Sequence, residues 1–414
     1  MPNETAPGSP APGDAVHGDP DAGGGVFAGL AGQDEAVAEL RRAAGAAAAV
    51  LRGEQATGMT HAWLFTGPPG SGRSVAARAF AAALLCPYGG CGRCPSCHQV
   101  RAGTHADLLL VRPDGLSYGV RLTRSLVLRA AGAPSGGRWH VVVFEDADRA
   151  TEQAANALLK AIEEPAPRTV WLLCAPSAEE LVTTIRSRCR LVTLRTPPSA
   201  AVAGVLTADG VDPERALAAA RAAQGHIGRA RRLATDPEAA RRRDEVLAVP
   251  ARLTGVGQAF AAAAALVKSA ETEAAAITDE LDVPEREALR RAFGEGSTGK
   301  GVAKAVRGSA GAMKELEDRQ KSRATRLKRD ALDRALLDLA AFYRDVLAVQ
   351  LGAGVELASS GHERDVRELA AASRPETTVR RIGAIMACRE RLELSVAPLL
   401  AVEEMTLALA APAI

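Results

Sequence analysis

A chain of 414 residues with 47% hydrophobic side chains is long enough for two or three separately cored domains. Its formal charge of +2 excludes any global electrostatic case for nucleic acid, so such contacts must be local or belong to an assembly. Only 3% of the residues are aromatic and alanine is abundant, which favours helices packed closely through small side chains.

Residues 1–24 are rich in Pro, Gly and Ala without apolar periodicity, and are expected to form a disordered tail. They have neither a basic start nor an apolar centre, so they do not read as a secretory signal. No charge-free apolar run has the length of about 18 residues that a membrane helix needs. A cytoplasmic protein without a membrane partner is expected, with its seven cysteines reduced and free to bind metal.

From 25 to 196 apolar runs of strand length alternate with helical stretches, the signature of a parallel sheet covered on both faces. The runs are Trp63–Thr66, Leu108–Val111, Val141–Phe144 and Val170–Cys174. The first leads into Gly67-Pro68-Pro69-Gly70-Ser71-Gly72-Arg73-Ser74, followed by a helix former, Ser74–Leu85. This is a phosphate-binding loop in which glycines let backbone N–H groups close on phosphate oxygens, Ser74 keeps the magnesium hydroxyl, and Arg73 replaces the lysine. The alternative is a glycine-rich turn that binds nothing.

Cys86, Cys91, Cys94 and Cys97 follow that helix as C-x4-C-x2-C-x2-C. Four thiolates at this spacing can converge on one zinc in a closed, structural site at 86–97. Surface thiols, a disulfide pair or an iron–sulfur cluster are the alternatives. Further on, Glu145 and Asp146 end the strand at Phe144, where P-loop enzymes hold the magnesium of the nucleotide and a neighbouring acid orients water.

Pro197-Pro198 closes the alternating region. Residues 197–245 read as a small domain of short helices with turns at Gly210 and Gly225, and 246–414 as an all-α domain without strands. Within it 294–311 is glycine-rich and reads as a flexible loop. Ala312–Val349 is a long helix with Leu332, Leu336, Leu339, Tyr343 and Val346 on one stripe. Its first half is almost entirely charged, most simply a solvated face.

These residues together resemble the clamp-loader branch of the AAA+ ATPases, the subunits that serve bacterial DNA polymerase III. The resemblance rests on Val26–Gln33, similar to the family's segment beside the adenine, on the phosphate loop, and on the four cysteines after its helix. It rests also on the Glu145-Asp146-Ala147-Asp148 strand end, on Asn156–Lys160 with Glu163-Glu164-Pro165, and on Thr184–Cys189 with its Ser187-Arg188-Cys189 motif. By these motifs it runs over nearly the whole chain from Val26.

It implies an α/β AAA+ fold, a P-loop parallel sheet with a zinc-binding insertion, followed by a helical lid at 197–245 and an all-α collar at 246–414. Structural Zn2+ and ATP or ADP with Mg2+ are the implied cofactors. The implied partners are delta and gamma/tau motor subunits in a hetero-pentameric ring, which loads the sliding β clamp onto primed DNA. Arg188 would then act as an arginine finger in a neighbour's ATP site, since a guanidinium is always charged and donates in a fork. The local alternative for Arg188 is a pairing with a nearby carboxylate or helix end.

Four positions depart from the ATP-hydrolysing members: Arg73 for lysine, Asp146 for glutamate, Ala175-Pro176 for γ-phosphate-sensing threonines, and Gly228 for a nucleotide-sensing arginine, with Arg229 one step out of register. Together they imply a non-motor subunit. The competing expectations are the gamma/tau motor itself, a standalone P-loop ATPase, and a zinc scaffold that binds no nucleotide.

Overall fold

The computed structural model describes residues 25–411 apart from 114, 294–301 and 395, with backbone alone for 302–309. The expected tail at 1–24 and the first part of the expected 294–311 loop therefore lie outside the described residues.

Among the described residues five strands, β1 (Ala62–Thr66), β2 (Leu108–Val111), β3 (His140–Phe144), β4 (Thr169–Ala175) and β5 (Arg190–Thr193), pair in parallel in the order β2-β3-β4-β1-β5. Helices α1 (Asp34–Leu51), α2 (Arg73–Leu85), α3 (Pro95–Ala102), α4 (Val120–Ala130), α5 (Glu152–Glu163) and α6 (Thr183–Arg186) belong to the same domain. Alternate residues of the central strands serve opposite faces. Trp63, Val141, Val143 and Leu172 join one core with α1 and α2, while Leu64, Val142, Phe144 and Trp171 join the other with α4 and α5. Ala76, Ala77, Ala81 and Ala83 are buried on α2, and their small side chains let this helix lie close against the sheet.

Four runs read from the sequence are strands, and β5 is the addition. Only Val192 of β5 is buried, and with Arg190 and Thr193 exposed at its ends the strand presents no continuous apolar run.

Helices α7 (Ser199–Ala208), α8 (Pro213–Ala223) and α9 (Ile227–Thr235) pack around Val202, Leu206, Ala220 and Ala230. Next come α10 (Pro237–Leu247), α11 (Val249–Arg252), α12 (Val256–Ala292), α13 (Val302–Gln350), α14 (Glu363–Ala372), α15 (Pro375–Glu393) and α16 (Pro398–Ala410). The predicted stripe on α13 is buried at Leu332, Leu336, Leu339, Tyr343 and Val346, beside Val246 and Leu247 of α10.

Two expectations are corrected here. Residues 302–311 are the first turns of α13 and not loop. Glycine costs a helix about 1 kcal/mol relative to alanine, and the Ala, Lys, Val and Arg between these glycines extend a helix already nucleated downstream. The charged half of α13 is also not simply a solvated face. Arg323 forks onto Glu285 of α12 at 2.7 and 2.6 Å and reaches Asp282 at 2.5 Å, while Lys328 pairs with Glu271. An acidic stretch of α12 complements it, and the spacing within α13 alone cannot show that.

Candidate nucleotide and metal sites

Between β1 and α2 the chain turns through Gly67, Gly70 and Gly72 at φ of 148°, 90° and 92°. A β-carbon on Gly67 would lie 2.4 Å from the Leu194 carbonyl oxygen, and one on Gly70 would lie 2.7 Å from His226 Cβ. Only glycine fits at these two positions. Gly72 caps α2, so the positive end of a helix faces the loop. Ser71 Oγ is buried without a partner, an orphan that a phosphate oxygen would satisfy.

Beside the loop lies a cavity of about 520 Å³ whose walls include Leu30, Gly72, Arg73, Glu145, His226 and Gly228. That is the size range of small-molecule sites. Buried Gln33 ties the opening segment to the end of the sheet domain, donating to the Arg195 carbonyl at 2.5 Å and accepting from the Arg195 N–H at 3.1 Å. Arg73 spends part of its fork inside the loop, where it donates to the Gly67 carbonyl.

The acids at the end of β3 are held by arginines. Arg78 Nε lies 3.7 Å from Glu145 Oε1, and Arg112 Nε lies 3.3 Å from Oε2. Asp146 sits in the left-handed region at φ 49°, with its carboxylate 4.0 Å from Arg149 Nε and 3.4 Å from Arg326 Nη2. Arg326 comes from α13 and also donates to the Pro113 carbonyl. Tyr118 fixes the backbone by donating to the Glu145 carbonyl at 2.6 Å; burial, with Asp146 adding to it, raises the pKa of its hydroxyl. Burial likewise pushes half-buried Asp148 above the usual carboxylate range. Unit charges 4 Å apart interact by about 4 kcal/mol at an effective dielectric near 20, so guanidinium groups this close attract both carboxylates.

At the other departing positions the geometry is equally plain. Ala175 is buried at the end of β4, and the Pro176 carbonyl accepts from Gly67 N–H at 3.1 Å, so neither offers a polar side chain to the cavity. Gly228 lines the cavity without a side chain, and Arg229 is committed to Asp338 of α13. Arg188 lies outside this cavity, after α6, on the surface. It pairs with Glu163 at 2.7 Å and donates to the Thr184 carbonyl at 2.8 Å, with 39% of its side chain exposed.

The cysteines converge. The sulfurs of Cys86, Cys91, Cys94 and Cys97 all lie within 4.8 Å of one another, with Cys86 3.8 Å from Cys91 and 3.6 Å from Cys94. Zn–S bonds of about 2.3 Å in a tetrahedron require sulfur separations of roughly 3.8 Å, so the set fits a zinc ion and none of the four is in a disulfide. The Cys94 sulfur caps α3, and a hydrogen bond from Cys97 holds Cys86 toward the thiolate while raising Cys97 itself.

Sequence reasoning thus located the loop, the acids and the cysteines, but not Arg78, Arg112 or Arg326. Arg78 lies one turn into the loop helix and was within reach. Arg326 stands 180 residues from Asp146, and no local signal marks it.

Over residues 46–198 the sequence matches the family model described as DNA polymerase III, delta subunit. A Pseudomonas aeruginosa protein named DNA polymerase III subunit delta' is 41% identical over 136 residues, covering 31% of this chain and 41% of that protein. Its Bacillus subtilis namesake is 34% identical over 163 residues, covering 38% and 49%. The Mycobacterium tuberculosis gamma/tau subunit is 36% identical over 135 residues, covering 31% and 23%. The chain thus spans under half the length of each of these relatives, and the family match ends at residue 198, short of the near-complete reach that the motifs suggest. Through its phosphate-loop domain this chain is similar to the delta-prime subunits of DNA polymerase III.

Proposed function

We propose that the chain is a non-motor, delta-prime-type subunit of a cytoplasmic clamp loader. It would assemble with delta and gamma/tau subunits and help load a sliding β clamp onto primed DNA. One observation carries the non-motor part: the groups that would turn over ATP are held by the chain's own arginines. Arg73 is on Gly67, Glu145 lies between Arg78 and Arg112, and Arg326 holds Asp146. Ala175 and Gly228 add no sensing group. In this reading Arg188 leaves Glu163 to complete a neighbour's site, and the four cysteines hold a structural zinc, a closed set with no position for chemistry.

Reconstitution with delta and gamma/tau subunits tests this. The isolated chain should turn over ATP well below about 1 per second, the lower end of ordinary enzymes. The complex should form, and Arg188→Ala should lower its ATPase. Brisk hydrolysis by the isolated chain overturns the non-motor reading, and unchanged ATPase in the Arg188→Ala complex removes the finger.

A further inference from the structure

The end of β3 does not suit the magnesium ion that usually accompanies a nucleotide on a phosphate loop. Glu145, the strand-end carboxylate that lines the cavity, faces Arg78 and Arg112 at 3.7 and 3.3 Å, and its neighbour Asp146, outside the lining, faces Arg149 and Arg326 at 4.0 and 3.4 Å. Glu145 Oε1 has no hydrogen-bond donor, yet a divalent cation on it would sit against the positive charge of Arg78. The cavity has its own positive charge. Arg73, Arg78 and Arg231 line it against Glu145, with Arg231 also paired to Asp209. A polyphosphate entering there meets positive charge on its equatorial oxygens without bringing an ion, and the orphaned Ser71 hydroxyl and the N-terminus of α2 remain to bind it.

We infer that this cavity binds a nucleoside diphosphate or triphosphate free of magnesium, with the arginines around the loop and strand end in the ion's place. The inference rests on the loop being a nucleotide site. It goes beyond a slow ATPase, because it fixes the form in which the nucleotide is held. Arginine suits the substitution, since it stays charged at any working pH and spreads its charge over a planar fork.

The test is equilibrium titration of the full chain with a fluorescent N-methylanthraniloyl-ADP, in excess EDTA and in excess magnesium chloride. The two dissociation constants should agree within about twofold. Tightening by tenfold or more with magnesium overturns the inference, as does the lack of saturable binding in both buffers. The second outcome leaves the non-motor role standing, whereas rapid hydrolysis would remove that role instead. Arg112→Ala with Arg326→Ala should create a magnesium dependence of about fivefold or more, with the circular dichroism spectrum unchanged. Should that double variant misfold, Arg112→Gln alone, at a half-exposed side chain, should create a smaller dependence of the same sign. Persistent magnesium independence in the folded variants overturns the arginine explanation.

Discussion

The sheet domain carries two polar sites built in opposite ways. The cysteine site is complete within residues 86–97, where glycines and prolines turn the chain and the helix α3 starts on Cys94. The acidic end of β3 is completed from three directions, by Arg78 of α2, Arg112 after β2, and Arg326 of α13. A locally built site keeps its chemistry wherever its segment folds. A site assembled from distant elements takes its chemistry from the fold, and here the fold supplies cations where the motif alone promises a metal.

Removing the metal should separate the two most sharply. Structural zinc contributes roughly 10 kcal/mol or more to the folding of small zinc modules at neutral pH. The purified protein should contain about one zinc per chain. Stripping it with a chelator should lower the melting temperature of the sheet domain by about 10 °C or more, while the transition of the helical C-terminal half stays in place. Full removal of zinc without a change in melting would show that the cysteines only pack.

Asp338→Ala probes the distributed kind of site next. Asp338 is 5% exposed and receives both Arg229 of α9 and Arg243 of α10, the latter at 3.1 Å, so it fastens the small helical domain to α13. Its loss removes the carboxylate from Arg229 and leaves Arg243 with the Ala358 carbonyl, both with little solvent access. Breaking one side of a buried pair costs about 3–5 kcal/mol, which urea unfolding would read directly. A loss below about 1 kcal/mol would mean that water already reaches the pair.

How much of this was legible follows the same division. The glycine loop, its helix and the cysteines are short-range patterns, and each lies where its spacing says. The strands β1 to β4 were legible because sheets buried on both faces demand continuous apolar runs, while β5 is half-exposed and was not. The stripe from Leu332 to Val346 was legible from helical periodicity. The partners of the charged turns before it were not, because they lie on α12 and beside β3. The loop expected up to 311 failed for a similar reason, since cooperativity along α13 overrode a local glycine signal.

A third test is acid. Burial alone would raise the pKa of Glu273, but Arg334, Arg232 and Arg242 outweigh it and hold its carboxyl below the usual range. A carboxylate depressed in the folded state adds stability that is fully present above its unfolded value, near 4.5, and is lost as pH falls through the folded value. Unfolding free energies measured from pH 6 down to pH 3 should therefore fall in the acid range, and Glu273→Gln should flatten that part of the curve. An unchanged slope in the variant would mean that other carboxylates carry it.

Arg188→Ala in the isolated chain should have the smallest effect. The guanidinium and the Glu163 carboxylate are 39% and 41% exposed, and exposed pairs contribute about 0–1 kcal/mol. A double-mutant cycle on Arg188 and Glu163 should give a coupling near 0.5 kcal/mol or less. That small number is informative because it bears on what the arginine is for. A residue whose role is to hold α5 to the turn after α6 would show strong coupling to Glu163 and no effect on a partner. A residue that leaves its surface pairing for a neighbour's phosphates must be weakly held at home, since any stability gained from Glu163 would have to be given up on assembly. Coupling above about 2 kcal/mol would therefore count against the finger even before a complex is made.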